Sequence, residues 1–442
     1  KAVVFDTTIL GSNPSAPAIT MNIFSTKNEL IKKFKIFFSP FYKSKELSMF
    51  FNIIEKGESK NSKVAMFVGG CVRKHINGQK VDDIDIATIF TPEQIKNKFK
   101  NTEVRVIDTG IDHGSVTLLI KDCKLEVTTL RKDIKTDGRH AEVSFTDDWL
   151  EDSSRRDFTI NAIYMDRKGN LLDPQSGVKD LKNRTVKFIG DPNKRIQEDY
   201  LRIIRFIRFS LQYNSESEKS VLNSIKLNLN GIKYISKERI LNELKKILDL
   251  KSFKNIIGNL ELKNIFYLIF PELKHLDRLE KISLINKSFQ LKNDFILALL
   301  LIDNSNNYEY FCHKYKTSNA FKSKLELFSK YLNEYKSDKN FFKKNLKKNI
   351  YFLGKNNLKE FNTLVFFVYK KIKYNEYLKT NQKIESISVP KFPYDGKYLI
   401  NKGLAEGKKI GLILKELEIH WVKNNYFLEE DYLMDLINKN NN

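Results

Sequence analysis

The sequence predicts an α+β protein, with a small mixed-sheet head near the start of the chain and an all-α region after it. Between residues 62 and 190, short apolar or alternating segments of strand length are interspersed with short helical ones, which is typical of a mixed sheet. After Asp191-Pro192 the apolar residues recur at helical spacing and continue to do so. The 442 residues suffice for several domains and a sizeable core.

The head is predicted to begin outside its sheet and to reach it through a glycine turn. Residues 27–38 and 44–54 have the periodicity of helices that pack against a sheet. Residues 64–68 then form an apolar strand, and Gly69-Gly70 allows a tight turn and close approach to a ligand. The residues that follow can open a helix whose N-terminal amides suit an anion.

The remaining elements follow from the same patterns. Thr91 and Pro92 suit an N-cap and a first helical turn, which predicts a helix that runs to Phe99. Further strands are predicted over residues 104–107, 115–120 and 124–130. The best helical periodicity lies in residues 196–211, 219–228, 237–248 and 293–301. The final apolar stripe, from Ile410 to Trp421, predicts a helix that packs into a core.

Two carboxylates, Asp83 and Asp85, follow the glycine pair about a dozen residues later. Because the segment from Asp83 to Ile86 alternates polar and apolar residues, a strand there places both carboxylates on one face, roughly 7 Å apart. Near a phosphate-binding turn, this pair suits two Mg²⁺ ions that act on a nucleoside triphosphate. The alternative is a solvated strand edge beside an ordinary glycine turn.

Three later segments add candidate residues. Glu126 lies in an alternating strand, with Leu125 and Val127 on the opposite face. The segment RRDFTINA at residues 155–162 is a dense series of donors and acceptors, predicted to open a helix. Asp199 and Arg202 are three residues apart and therefore share one helical face.

These residues stand in an order that resembles the class II tRNA nucleotidyltransferase and poly(A) polymerase family, within the DNA polymerase beta superfamily. The motifs GG-x-VR, DxD, RRDFTINA, D-x3-G-x2-DL, EDxLR and ERIxxEL span residues 62–250 nearly without gaps. The resemblance implies a catalytic head over residues 22–190, a helical neck for base recognition over 191–250, a helical body over 251–315 and a tRNA-binding tail over 316–442. Residues 1–21 are expected to form a disordered extension.

The resemblance assigns roles in the chemistry to residues of the head. Asp83 and Asp85 would hold Mg²⁺, and Glu126 would be the third catalytic carboxylate. The nucleotide's triphosphate would face Gly69, Gly70 and Arg73. The alternatives are an ordinary strand glutamate at position 126 and an ion pair between Arg73 and a neighbouring acid.

Sugar and base recognition are assigned in the same way. Asp157 would accept a hydrogen bond from the ribose 2′ hydroxyl, while Arg155 or its neighbour meets phosphate. Asp199 would accept from the exocyclic amine of C or A, and Arg202 would donate to the ring nitrogen, so that this pair replaces a nucleic-acid template. Arg205 would be a further nucleotide contact. The alternatives are helix capping by Asp157 and a surface ion pair between Asp199 and Arg202.

One segment and one substitution refine the resemblance. Residues 131–150, which include DGRHAEV, resemble the flexible loop that helps the family switch from C to A. Its presence favours addition of all three nucleotides. Lys74 stands where the family usually has aspartate, a position expected to support the helix. The chain has no HD phosphohydrolase pairing, so hydrolase side activities are not expected.

Composition is compatible with an RNA partner in a reducing compartment. The formal net charge is +23, and residues 311–390 contain 18 lysines and 6 acidic side chains, which favours a polyanionic partner there. The resemblance implies that this partner is tRNA. The alternative is the lysine excess of an A+T-rich genome. The 3 cysteines show no CxxC spacing, which argues against a zinc site and favours a cytoplasmic location. No apolar run is long enough to span a membrane.

The predicted function is therefore addition of C, C and A to the tRNA 3′ end from CTP and ATP, without a nucleic-acid template and with Mg²⁺. A poly(A) polymerase and an enzyme that adds only CC or only A share most of the motifs. An alternative of another class is a tRNA-binding protein with an inactive head. The sequence leaves the oligomeric state open.

Overall fold

The computed structural model describes residues 40–59, 62–136, 141–285, 291–303, 305–404, 407 and 409–441. The predicted extension over 1–21, the predicted helix over 27–38 and residues 137–140 of the predicted loop lie outside these ranges. The chain falls into two compact units, which are divided between Arg195 and Ile196.

In the described part of the first unit, seven strands form one mixed sheet and two more form a separate ribbon. The strands are β1 (Ala65–Val68), β2 (Ile84–Thr88), β3 (Arg105–Gly110), β4 (Ser115–Ile120), β5 (Cys123–Thr129), β6 (Arg131–Thr136), β7 (Ala141–Phe145), β8 (Tyr164–Met165) and β9 (Leu171–Leu172). The order across the sheet is β3-β4-β5-β2-β1-β8-β9, and β6 pairs with β7. Neighbouring strands are antiparallel except β2 and β5, which are parallel. The predicted α+β class with a mixed sheet is confirmed.

Three helices of this unit begin at a side-chain cap, from Ser44, Thr91 or Asp148. The helices are α1 (Lys45–Ile54), α2 (Gly70–Ile76), α3 (Pro92–Phe99), α4 (Trp149–Ser154) and α5 (Gly177–Lys182), followed by α6 (Pro192–Glu198) at the unit boundary. Short 3-10 helices cover Phe41–Lys43, Ile111–His113 and Thr159–Asn161. Thr91 caps α3 and Pro92 occupies its first turn, as predicted, and Gln94 completes a reciprocal capping box with Thr91.

Both faces of the central strand β1 are covered, which explains its wholly apolar sequence. On one face Phe67 contacts Phe51 of α1, with ring centroids 5.2 Å apart. On the other face Met66 and Val68 pack in a buried cluster that includes Tyr164.

The RRDFTINA segment does not open a helix, contrary to the prediction. The helix α4 ends at Ser154, before Arg155, and only the 3-10 turn Thr159–Asn161 follows. Asp148 caps α4 by accepting a hydrogen bond from the Leu150 amide. The helix therefore begins before the RRDFTINA segment, at Trp149, and it ends after six residues. Residues 131–150 are likewise not a simple loop, since β6 and β7 occupy much of this segment as an antiparallel ribbon.

The D-x3-G-x2-DL motif holds the 3-10 turn in place. Asp173 accepts hydrogen bonds from the amides of Gly177 (2.7 Å) and Val178 (2.9 Å) at the start of α5. Asp180 accepts one from the Thr159 hydroxyl at 2.6 Å. A Cβ at Gly177 would lie 2.1 Å from the Thr159 carbonyl oxygen, so only glycine permits this approach.

Gly177→Ala is therefore expected to destabilise the first unit by about 2–4 kcal/mol, because backbone rather than a flexible side chain must move. Chemical denaturation should measure the loss. Gly258→Ala, where an added Cβ would meet nothing within 4 Å, is the matched control and should cost little. Equal stability of the two variants would contradict the packing argument.

In the second unit the described residues form helices joined by short turns. They are α7 (Leu201–Tyr213), α8 (Lys219–Asn228), α9 (Lys237–Leu248), α10 (Leu260–Ile269), α11 (Asn293–Leu301), α12 (Asn307–Tyr315), α13 (Asn319–Ser337), α14 (Phe341–Lys344), α15 (Leu346–Val368), α16 (Tyr374–Ser386), α17 (Gly396–Asn401), α18 (Ile410–Lys423) and α19 (Glu430–Asn441). The 3-10 helices are Leu229–Tyr234, Phe253–Gly258 and Leu276–Leu284. None of the described helices has the length and apolar character needed to cross a bilayer.

The helical predictions hold for α8, α9 and α11, whose bounds match the predicted ranges. The predicted helix over 196–211 is wrong as a single helix, since the chain breaks between Glu198 and Leu201. The helix predicted from the final apolar stripe is α18, and its residues Ile413 and Leu417 are buried in the C-terminal core cluster. Leu412, although part of the predicted stripe, is 71% exposed.

Candidate active site

The parallel pairing of β2 and β5 brings two of the predicted carboxylates together. In this register Asp85 lies directly beside Glu126. Leu125 and Val127 are fully buried on the opposite face of β5, so Glu126 points away from the core, as the alternation predicted. Asp83 lies just before β2 and is exposed.

The glycine turn lies against Asp85. Gly69 precedes α2 with φ +72° and ψ −123°, a conformation that side chains rarely adopt. A Cβ on Gly69 would lie 3.7 Å from the Asp85 Oδ2 atom, and one on Gly70 would lie 4.0 Å from it. The sequence prediction that the turn and the DxD carboxylates form one site is therefore consistent with the backbone geometry.

Negative charge is concentrated in this cleft. Burial raises the pKa of Asp85, and the charges of Glu126 and Asp83 raise it further, while Arg156 and Arg73 oppose them. A cavity of about 800 Å³ contains these carboxylates, and its lining residues are Glu46, Asp82, Asp83, Ile84, Asp85, Lys121, Asp122, Cys123, Lys124 and Glu126. A bound cation would relieve the repulsion within this cluster.

The donor set fits a hard divalent cation, because it consists of carboxylate oxygens. Within the described ranges, no three His, Cys, Asp or Glu side chains converge into a finished metal centre. Glu126 instead makes an ion pair with Lys124 at 2.7 Å. Asp83 and Asp85 are thus the residues that could hold a metal, and Glu126 could join them by leaving Lys124.

Arg73 reaches the predicted sugar-binding segment. Its guanidinium donates to the Asn161 side-chain oxygen, and the Asn161 amide donates to Asp157 Oδ1 at 2.6 Å. Asp157 is 7% exposed and also accepts from the Phe158 amide at 2.9 Å. The following 3-10 helix has no side-chain cap, so the alternative role of Asp157 as a helix cap is not what the structure shows. Asn161 therefore links the two candidate residues, Arg73 and Asp157.

Arg155 and its neighbour Arg156 converge on a carboxylate that the sequence analysis missed. Asp152 is fully buried, and it accepts from Arg155 Nη2 at 2.7 Å and from Arg156 Nη2 at 2.8 Å. Because Asp152 lies three and four residues before the arginines, its position in α4 is the signal that could have identified it. Arg156, the neighbour that the sequence analysis left as the alternative to Arg155, also lowers the pKa of Asp85 through its charge.

Lys74, the departure from the family pattern, has a local role. Its ammonium group forms an ion pair with Asp82, and this hydrogen bond lowers the pKa of Asp82. The lysine therefore ties α2 to the segment that leads into β2.

The predicted base-recognition residues lie in the second unit. Asp199 lies outside the helix that contains Arg202, in the break before α7, although the Arg202 amide donates to the Asp199 carbonyl at 3.0 Å. Its carboxylate accepts from the Leu201 amide at 3.1 Å and from Arg239 Nη2 at 2.8 Å. Arg202, 9% exposed, donates to Glu198 at 2.6 Å. The predicted pair is thus held by two neighbours, Arg239 and Glu198, that the sequence analysis did not assign.

Arg205 lies one turn further along α7, near a buried acid. Its Nη1 atom is 3.8 Å from Glu243 of α9, which also binds Arg208 at 2.8 Å and Lys246 at 2.9 Å. Burial raises the pKa of Glu243, but Arg208 and the other cations lower it overall. Glu243 therefore orients the arginines on this side of α7.

Two family models match the chain. "Poly A polymerase head domain" matches residues 65–187, and "Probable RNA and SrmB- binding site of polymerase A" matches residues 216–276. Human CCA tRNA nucleotidyltransferase 1, mitochondrial, is 35% identical over 386 residues, which cover 84% of this chain and 86% of the relative. The Staphylococcus epidermidis CCA-adding enzyme is 37% identical over 231 residues, which cover 51% of this chain and 56% of the relative.

Solved structures share the fold at lower sequence identity. The Bacillus stearothermophilus CCA-adding enzyme, crystallised with CTP, matches with a TM-score of 0.67 and 22% identity over 90% of this chain and 98% of its own. The Thermotoga maritima CCA-adding enzyme, in complex with tRNA, gives a TM-score of 0.59 and 20% identity over 93% of this chain and 98% of its own.

Proposed function

This chain belongs to the CCA tRNA nucleotidyltransferase family, and from that premise we propose that it adds C, C and A to tRNA 3′ ends from CTP and ATP. The observation that carries the proposal is the acidic cleft in which Asp85 pairs with Glu126 beside the Gly69-Gly70 turn. Nucleotidyl transfer can use such a cleft, because its carboxylates would hold divalent cations whose charge offsets the negative charge that accumulates on the leaving pyrophosphate.

Members of the family generally use a divalent metal, and we propose Mg²⁺ for this chain. Asp83 and Asp85 would hold it through their carboxylate oxygens. When bound, the metal supplies counter-charge for the phosphates and lowers the pKa of the attacking 3′ hydroxyl. Glu126 contributes a third carboxylate beside Asp85, where it can accept a proton or hold a water at the hydroxyl.

The nucleotide would lie along the residues that surround this cleft. The backbone of Gly69 and Gly70 approaches the triphosphate closely, and Arg73 and Arg155 provide positive charge for it. Asp157 would accept a hydrogen bond from the ribose 2′ hydroxyl and thereby reject deoxynucleotides. The link from Arg73 through Asn161 to Asp157 supports joint recognition of phosphate and sugar.

Base choice would depend on Asp199 and Arg202, with Arg205 as a further contact. C and A both present an amine beside an unprotonated ring nitrogen, which a carboxylate and a guanidinium match. G and U present the reverse pattern, so both contacts become unfavourable. Arg239 donates a hydrogen bond to Asp199, and Arg202 donates one to Glu198. These contacts support base recognition by Asp199 and Arg202, because side chains that replace a template must be fixed in orientation.

The proposal is tested with tRNA that lacks its 3′ end. The purified protein is incubated with each nucleotide separately and in combination, and the products are sequenced. Addition of C, C and A, in that order and no further, supports the proposal. Runs of A would indicate a poly(A) polymerase, and arrest after CC or dependence on an existing CC end would indicate a partial enzyme. Tight tRNA binding with no extension would indicate an inactive head.

We propose that the tail over residues 316–442 holds tRNA, with the neck and body over 191–250 and 251–315 preceding it. Within this tail Phe341 is buried and its ring lies 5.3 Å from that of Phe361, which anchors the lysine-rich stretch. Lys343, Lys344 and Lys347 next to it are exposed. Exposed cations on a packed support can bind a phosphate backbone.

The affinity for tRNA is expected to fall steeply with salt, because each bound phosphate releases counterions. Changing Lys343, Lys344, Lys347 and Lys348 together to Gln should weaken binding and reduce the slope of log Kd against log salt, by roughly one for each phosphate that is no longer bound. Binding titrations at several salt concentrations measure both. If the slope of log Kd against log salt stayed at the wild-type value, these lysines would not contact RNA phosphates. Their abundance would then reflect the base composition of the genome.

A cytoplasmic location remains a proposal. The three cysteines that the structure describes, Cys71, Cys123 and Cys312, are free thiols, which favours a reducing compartment. A mitochondrial matrix is also reducing, and the human relative is named as mitochondrial. Localisation of the tagged full-length protein by microscopy and cell fractionation would decide between the two.

A further inference from the structure

One buried carboxylate, Asp152, accepts six hydrogen bonds, four of them from the side chains of two arginines. Its Oδ1 atom accepts from Arg155 Nε at 2.9 Å and Nη2 at 2.7 Å, and from the Arg131 amide at 3.3 Å. Its Oδ2 atom accepts from Arg156 Nε at 3.1 Å and Nη2 at 2.8 Å, and from the Tyr164 hydroxyl at 2.7 Å. Both guanidinium groups are therefore fixed by one side chain.

The two arginines keep the buried carboxyl group of Asp152 ionised. Burial alone would raise the pKa of Asp152, but Arg156 and Arg155 hold it well below its usual range, so the carboxylate is ionised. An ionised carboxylate with two guanidinium partners and every oxygen engaged is stable in a buried position. Arg156 also packs over the Tyr164 ring, with 5.2 Å between the guanidinium carbon and the ring centroid.

The network reaches two functional parts of the head. Arg156 immediately precedes Asp157, which is linked through Asn161 to Arg73, so this end of the network adjoins the candidate nucleotide-binding residues. The other end is the base of the β6–β7 ribbon, where Asp152 accepts from the Arg131 amide and Glu151 accepts from the Thr146 hydroxyl at 2.6 Å. The two ends of the ribbon are thus attached to consecutive residues of α4.

We propose that Asp152 is a positioning residue for nucleotide binding, which fixes Arg155 and Arg156 toward the triphosphate and couples them to the base of the ribbon. The inference rests on the proposed function, because it takes CTP or ATP as the ligand. It goes further by assigning the orientation of the arginines to a residue that touches no substrate itself.

Asp152→Asn tests this role, since it keeps the size of the side chain but removes the charge that holds two cations. The variant is expected to raise the KM for CTP and for ATP about tenfold or more, with a parallel loss in CTP affinity measured by calorimetry with Mg²⁺. The KM for tRNA should stay at the wild-type value. A residue important only for folding would lower the melting temperature and the active fraction but leave the nucleotide KM unchanged.

Ser153→Ala is the matched control. Ser153 is fully buried in the same helix, donates to the Leu150 carbonyl at 2.8 Å and accepts from Gln175 at 2.8 Å, yet none of these contacts involves the arginines. This variant should lose stability without any change in the KM for CTP. A rise in KM equal to that of Asp152→Asn would overturn the proposal, since the effect would then come from α4 as a whole.

The remaining outcomes are also decisive. If Asp152→Asn does not fold, Asp152→Glu keeps the charge but moves it by one methylene, and wild-type CTP affinity in that folded variant would overturn the role. If the wild-type protein extends tRNA while Asp152→Asn binds CTP equally well, the positioning role is wrong and the proposed function stands. If the wild-type protein neither binds CTP nor extends tRNA, the proposed function fails and the role fails with it.

Discussion

Asp83→Asn and Asp85→Asn are each expected to abolish incorporation of both C and A while the affinity for tRNA stays close to that of the wild-type protein. Each change removes a carboxylate from the cleft that would hold Mg²⁺, so the charge that develops on the phosphates loses its counter-charge. The rate should fall on the order of 10³-fold or more, which corresponds to about 4 kcal/mol of transition-state stabilisation. Single-turnover incorporation and tRNA binding titrations measure the two effects separately.

Asp122→Asn is the control for these variants. Asp122 lines the same cavity and is exposed at the turn between β4 and β5, but no role in catalysis is assigned to it. Its activity should stay near the wild-type level. Substantial Mg²⁺-dependent incorporation by Asp83→Asn or Asp85→Asn, or equal losses in all three variants, would contradict the metal assignment.

Asp199→Ala and Arg202→Ala are expected to lose discrimination among bases as well as rate. Each variant removes one of the two side chains that match the hydrogen-bonding pattern of C and A. The correct nucleotides therefore lose a hydrogen bond, while U and G are relieved of an unfavourable contact. The correct nucleotides should lose about 1–3 kcal/mol of transition-state stabilisation, the range for a hydrogen bond that involves a charged group. The ratio of C to U incorporation, measured by competition and sequencing, should fall with it.

Preference for ribonucleotides should survive in both variants, since Asp157 is unchanged. The exposed ion pair between Lys226 and Glu261, 2.7 Å apart in the same unit, provides the matched control, and Lys226→Ala should retain wild-type base preference. If Asp199→Ala and Arg202→Ala kept the full preference for C and A over U and G, base choice would have to come from another part of the protein or from the tRNA end.

Much of the architecture could be predicted because it depends on local patterns. The helix α9 has the same bounds as predicted, since its apolar residues repeat at helical spacing and Ser236 caps its start. The strands β2 and β5 were predicted from alternation, and Leu125 and Val127 are buried as expected. The family resemblance implied a mixed-sheet head followed by a helical region, and the structure has this arrangement.

The errors fall where partners distant in sequence decide the outcome. Asp199 and Arg202 have the spacing of a helical pair, but Arg239, brought close by the packing of α7 against α9, binds Asp199 instead. Asp152 went unnoticed because three other acids, Asp147, Asp148 and Glu151, share its segment. Its spacing of three and four residues to the arginines marks it only together with its contacts to Tyr164 and Arg131. The break before α7 was missed because the helical periodicity continues across it.

The parallel pairing of β2 with β5 also determines when in folding the chemistry becomes possible. The two strands are separated by α3 and the β3–β4 hairpin, so Asp85 and Glu126 meet only after this long connection has closed. Parallel strands cannot form from a tight turn, and non-local pairing of this kind is slow compared with the formation of helices and hairpins. A folding intermediate that contains only local structure therefore has both carboxylates but no cleft, and catalytic competence arrives together with the completed sheet.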